Sequence, residues 1–249
     1  MPKLGIASFE KIFLHYGYKK RDYYYFEGKK LDAFWYAPPS DKFPRIFMSE
    51  LRVNDLSAKT QNIIYNYTKH ITSDPVDALD LNDIKAVGDF FHKALWQLPT
   101  IADYNSLAEE SEYAAWVIHN RYYLNHYTIS VHEFSEKFNT IEKFNAFLEL
   151  EGISLNTAGG KIKTSPDGLL KQSSTIAKMV EAEFLEGNKM EIAGSYVEFA
   201  ERLVLPEFQN MKSSEIQRKH RRDGFESANA DKIFESTYSE QTKSTKTIN

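Results

Sequence analysis

From Tyr122 to His132 the chain alternates with a period of two. His126, Thr128, Ser130 and His132 fall on one face, and Tyr127, Ile129 and Val131 on the other. An apolar face backed by a His/Thr/Ser face predicts a strand that walls a polar cavity. A second alternating run, Met190 to Leu205, puts Tyr196, Glu198, Ala200 and Arg202 together and leaves Ser195, Val197 and Phe199 opposite. The turn Glu186-Gly187-Asn188-Lys189 joins this run to a strand expected over about Gln172 to Phe184.

The first third of the chain also has strand character. Tyr23 to Phe26, a glycine-containing turn and Leu31 to Tyr36 predict a hairpin, and Arg45 to Val53 a further strand. The middle has helical spacing. Ser57 is placed to cap a helix bearing Ile63, Ile64 and Tyr67, and Asn82 to cap one that buries Ile84, Val87, Phe91 and Leu95. A helix is predicted over Ser106 to His119, and another after Thr140 with Ile141, Phe144, Phe147 and Leu148 inward. Strands at both ends with helices between them indicate an α+β fold.

A length of 249 residues, with 42% hydrophobic and 14% aromatic positions, supports a substantial core. The expectation is a single domain over residues 1–236 and a disordered polar tail over 237–249. A net charge of −4 argues against a nucleic-acid surface, and the cluster Lys219-His220-Arg221-Arg222 is read as a solvated loop. The absence of cysteine excludes disulfides, thiolate nucleophiles and Cys-ligated metals, so any metal must be held by His and carboxylate. The opening residues MPKLGIASFEK contain no apolar signal region, and no apolar run is long enough to span a membrane. A cytoplasmic protein without membrane or nucleic-acid partners is therefore expected.

Seven histidines are available, but none stands in an HExxH motif; Walker A, GxGxxG and GxSxG motifs are also absent. The small polar strand neighbours of His126 make it the best candidate for a metal ligand. A hydrogen-bonded core or edge histidine accounts for the same spacing. Glu198, inside the apolar run Tyr196 to Ala200, needs a partner if it is buried. A metal satisfies that need, and so does an ion pair with Arg202 or Arg121. One His and one Glu on separate strands suit a 2-His-1-carboxylate site. Gln172 and Arg202 are candidates to face the same pocket and contact substrate. The stretch Gly159 to Gly168 reads either as a substrate-contacting loop or as a surface turn.

Several segments in order resemble the 2-oxoadipate dioxygenase/decarboxylases, also called hydroxyglutarate synthases. They include Pro44-Arg-Ile-Phe-Met-Ser-Glu-Leu51, Ser111-Glu-Tyr-Ala-Ala-Trp116, Asn125-His-Tyr-Thr128, Thr164-Ser-Pro-Asp-Gly168 continuing to Ser174, Gly194-Ser-Tyr-Val-Glu198 continuing to Arg202, and Arg222-Asp-Gly-Phe-Glu226. The resemblance runs from about Gly5 to Thr237. It implies a curved sheet or partial barrel of the vicinal-oxygen-chelate type with inserted helices, and a non-haem Fe(II) site. It also implies O₂-dependent conversion of 2-oxoadipate to 2-hydroxyglutarate and CO₂, a step of lysine breakdown. His126 would be the second metal ligand and Glu198 the carboxylate. The family's first metal His, and an Arg that grips the substrate's distal carboxylate, lie in an Asp-His…Arg segment before the part matched by Pro2 to Ile6. Either the sequence continues upstream, or it is a short form that is catalytically inactive but still binds a small molecule. A metal-independent hydrolase is the remaining alternative.

Overall fold

In the computed structural model, which describes residues 3–243, the chain folds as two compact units where composition suggested one domain over 1–236. The first takes residues 1–123 with 181–190, the second residues 124–180 with 191–249. In the first unit, α1 (Ile6–His15) precedes a three-stranded antiparallel meander of β1 (Lys19–Phe26), β2 (Leu31–Ala37) and β3 (Ile46–Leu51). The expected hairpin forms here, and its turn closes on Lys30 in the left-handed conformation, φ 54°.

Four helices follow: α2 (Ala58–Thr68), α3 (Ile84–Phe91), α4 (Ile101–Glu110) and α5 (Glu112–Asn120). Ser57 caps α2 as predicted, its side chain accepting from the Thr60 N–H. The cap of α3 is Asp83, one residue beyond the expected Asn82, and it accepts from Ala86 N at 3.0 Å. The single helix expected over Ser106 to His119 is two. Ser111 is extended (φ −150°, ψ 102°) and its hydroxyl accepts from Ala114 N, which ends α4 and starts α5. These helices enclose a core that includes Leu56, Ile64, Trp96, Leu107, Ala115 and Ile118.

The second unit holds the two alternating strands. Its sheet, in the order β4-β9-β6-β5, comprises β4 (His126–Ser130), β9 (Tyr196–Arg202), β6 (Leu170–Ser174) and β5 (Lys163–Thr164). β4 runs parallel to β9, and the other pairs are antiparallel. The register sets Thr128 opposite Glu198 and Ser174 opposite Glu198, so His126, Thr128, Tyr196, Glu198, Gln172 and Ser174 share one face. On the other face Phe199 and Val131 pack on α6 (Ile141–Leu150) through Ile141, Phe144 and Leu148. Thr140 caps α6 as expected, and Glu201 reaches from β9 to accept from Ile141 N at 2.8 Å. That places a carboxylate against the positive end of the helix.

The strand expected from Gln172 to Phe184 divides. β6 ends at Ser174, and β7 (Met179–Glu183) pairs with β8 (Lys189–Ala193) in a separate two-stranded ribbon. Near the C-terminus, α7 (Ser227–Phe234) lies over the polar face of the sheet, with Ile233 packed beside Ala177, Ala193 and Tyr196. The disordered tail expected from Thr237 begins instead with ordered chain. α8 (Ser239–Thr242) buries Thr242, and the Gln241 side chain accepts from Thr157 N at 3.0 Å. Residues 244–249 of that tail lie outside the described residues. No helix among the described residues is long and apolar enough to cross a membrane.

Candidate metal and substrate site

His126 opens β4 opposite Tyr196, and Glu198 lies two residues further along β9. This diagonal cross-strand relation brings two side chains 72 positions apart in sequence to one point. His126 Nε2 stands 3.3 Å from Glu198 Oε2, with the two side chains 16% and 4% exposed. The imidazole is stacked on Tyr196, with ring centroids 4.7 Å apart and planes 14° apart. Its Nδ1 lies 3.0 Å from Asn125 Oδ1. When Nδ1 carries the ring hydrogen and donates it to that oxygen, Nε2 turns a lone pair toward a carboxylate oxygen. Two facing acceptors suit a cation between them, and one imidazole nitrogen with one carboxylate oxygen is a donor set for a divalent transition metal. Among the described residues no group of three or more His, Asp or Glu converges on one point.

The second carboxylate oxygen is held from the opposite strand. Gln172 donates its amide N–H to Glu198 Oε1, and its own Oε1 accepts from Asn229 Nδ2 at 2.9 Å. Gln172 thus lies beside Glu198, with both ends of its amide engaged by protein groups. Arg202 shares β9 with Glu198 but turns elsewhere. Its guanidinium donates to the carbonyls of Arg222 (3.1 Å) and Gly224 (2.7 Å), clamping the loop before α7. Of the two arginines considered as ion-pair partners, Arg121 donates to the carbonyl of Trp96.

His132 leaves the strand in a short 3-10 turn, where its Nδ1 accepts from Arg202 N at 3.2 Å. Of the basic cluster expected to be solvated, Lys219 is exposed, while the other three residues are built into the fold. His220 is buried, Arg221 donates to Arg202 O, and Arg222 pairs with Asp167 and Glu226. Ser165 and Asp167 close the turn between β5 and β6, with Gly168 at φ +72°. The loop before β6 is therefore an ordered hairpin turn.

Two polar residues of this site escape a reading by spacing: Asn229 and Lys163. Lys163 is 4% exposed, lies opposite Gln172 in the sheet and donates to Asn156 O at 2.9 Å. Burial lowers its pKa from 10.5 to about 8, while the charges of Glu235 and Glu198 pull it back upward. A base whose folded-state pKa is depressed costs stability while charged, and the cost fades as pH rises through the interval between folded and unfolded values. The cost is about 3 kcal/mol below pH 8 and vanishes above 10.5. Lys163→Met should therefore gain on the wild type in urea unfolding at pH 7, and the difference should narrow steadily between pH 8 and 10.5. A pH-independent difference would contradict a charged, strained Lys163.

The sequence profile of the 2-oxoadipate dioxygenase/decarboxylase family matches residues 2–212. The chain is 47% identical over 248 residues to the 2-oxoadipate dioxygenase/decarboxylase, chloroplastic, of Arabidopsis thaliana. That match covers 95% of this chain and 65% of the relative, so the chain spans just under two thirds of the relative's length. The crystal structure of the hydroxyglutarate synthase from Oryza sativa in complex with 2-oxoadipate superposes with a TM-score of 0.86 at 43% identity, covering 96% of this chain and 78% of that one. A glyoxalase-superfamily protein from Ralstonia eutropha JMP134 shares the fold at a TM-score of 0.67 and 20% identity, over 89% of this chain and 69% of that one. The architecture is accordingly α+β of the vicinal-oxygen-chelate kind, and its sheets do not close into a barrel among the described residues. The expected cytoplasmic location does not stand, since the Arabidopsis relative is chloroplastic.

Proposed function

The chain belongs to the 2-oxoadipate dioxygenase/decarboxylase family, and on that premise we propose that its His126–Glu198 face serves the conversion of 2-oxoadipate and O₂ to 2-hydroxyglutarate and CO₂. The observation that carries this reading is the approach of His126 Nε2 to Glu198 Oε2 at 3.3 Å on a buried polar face. Fe(II) is the metal proposed there, and when bound it supplies the redox chemistry of oxidative decarboxylation. The protein's part is geometry and charge. His126 offers a neutral nitrogen, steadied by Asn125 and by the Tyr196 ring. Glu198 offers one negative charge, and the neighbouring Gln172 holds its other oxygen. Lys163 adds a buried positive group to a face that would receive a doubly anionic substrate. In metabolism this reaction is a step of lysine breakdown.

The test is oxygen-dependent release of CO₂ from 2-oxoadipate. One CO₂ per O₂ consumed is expected, lost on chelation and restored by Fe(II). Hydrolytic turnover that persists in chelator would instead support the metal-independent alternative. Binding of 2-oxoadipate without any turnover would support a non-catalytic binding protein.

A further inference from the structure

We propose that Asn229 and Gln172 form an amide relay that fixes the orientation of the Glu198 carboxylate, making both of them positioning residues for the metal centre. The inference rests on the reading of Glu198 as a ligand, and deepens it. The polarity of the relay is set from a backbone carbonyl outward. Lys163 O can only accept, and Asn229 Nδ2 lies 3.3 Å from it, so the Asn229 amide must turn its nitrogen that way. The same nitrogen donates to Gln172 Oε1 at 2.9 Å. Gln172 is then obliged to direct its nitrogen at Glu198 Oε1.

Asn229, Gln172 and Glu198 are 3%, 1% and 3% exposed, so solvent cannot substitute for a lost partner. The three residues sit on α7, β6 and β9, and β6 and β9 are adjacent strands of one sheet. With Oε1 engaged by Gln172, Oε2 is the oxygen turned to His126. The relay thus selects a one-oxygen mode of ligation. Outer-shell hydrogen bonds of this kind are worth roughly 10- to 100-fold in metal affinity. Gln172, a candidate substrate contact by sequence, acquires a different task, and Asn229 acquires one that its sequence context did not suggest.

The relay is tested by titrating the protein with Co(II) alone, alongside nitrogen-15 NMR of the Gln172 side-chain amide. In the wild type one Gln172 side-chain proton should be shifted downfield and exchange slowly with solvent. Asn229→Asp replaces the donor by an acceptor and should turn the Gln172 amide over, moving that resonance. Gln172→Met keeps the shape without the dipole. Both substitutions should weaken Co(II) binding by about 10- to 100-fold, with a cooperative melting transition retained at least in Gln172→Met. Co(II) affinity within twofold of wild type in both variants, with binding still abolished by His126→Ala, would overturn the relay and leave the metal site standing. Undiminished Co(II) binding in His126→Ala would instead remove the metal reading on which the relay rests.

Discussion

Glu198→Ala is expected to abolish Fe(II)-dependent release of CO₂ from 2-oxoadipate while leaving the chain folded. The carboxylate faces His126 Nε2 at 3.3 Å, and it occupies the centre of the polar face. Its removal deletes a ligand charge outright, so the loss should exceed the roughly 100-fold upper range for an outer-shell partner. Folding should suffer far less. The substitution leaves the Gln172 N–H without its acceptor, costing about 1–3 kcal/mol, but it also relieves a buried negative charge. Matched melting curves and CO₂ assays check both halves of the expectation. Wild-type turnover in Glu198→Ala would sink the assignment.

Phe199→Ala should produce the largest loss of stability near the site. Phe199 is 3% exposed and points away from its neighbour Glu198, into the core beneath the sheet. It meets Phe144 edge-on, with centroids 4.9 Å apart and planes at 65°, among Val131, Ile141, Leu148 and Leu155. Truncating such a ring costs about 3–5 kcal/mol, a large fraction of the 5–15 kcal/mol that holds a typical domain together. The same strand carries Glu198, so metal binding and folding should fail together on mild heating of this variant, whereas they separate in Glu198→Ala. Urea unfolding measures the loss. A change below about 1 kcal/mol would mean that α6 and the sheet are not packed as described.

Local chemistry in the sequence specifies much of this arrangement. The alternation in Tyr196–Arg202 and in His126–Ser130 assigns their faces in agreement with the strand register, and Ile129, Val197 and Phe199 pack toward α6 while Tyr127 on the same side stays exposed. Ser57 and Thr140 announce their helices because an N-cap acts within its own turn. Ser111 is the same signal in a less visible place, since a cap inside a continuous helical pattern is masked by the apolar residues on either side. The division of the strand after Ser174 is equally hidden, because Thr175–Lys178 contains no glycine or proline to mark it.

What cannot be read locally is strand pairing. His126 meets Glu198 only because β4 lies parallel to β9 in one register, and a slip of one residue would turn the carboxylate to the other face. For the same reason Asn229, on a helix far along the chain, gives no sign of its place against Gln172. The family resemblance implies His126 and Glu198 as a ligand pair, and the fold supplies the reason that these two positions can meet.

The claim that His126 and Glu198 share one divalent cation is tested most directly by anomalous X-ray diffraction at the cobalt edge, on crystals grown with Co(II). The predicted result is a single strong peak about 2 Å from both His126 Nε2 and a Glu198 oxygen, missing from crystals of His126→Ala. Co(II)-containing crystals with no peak at this position, and with Nε2 and Oε2 still in contact at 3.3 Å, would contradict it.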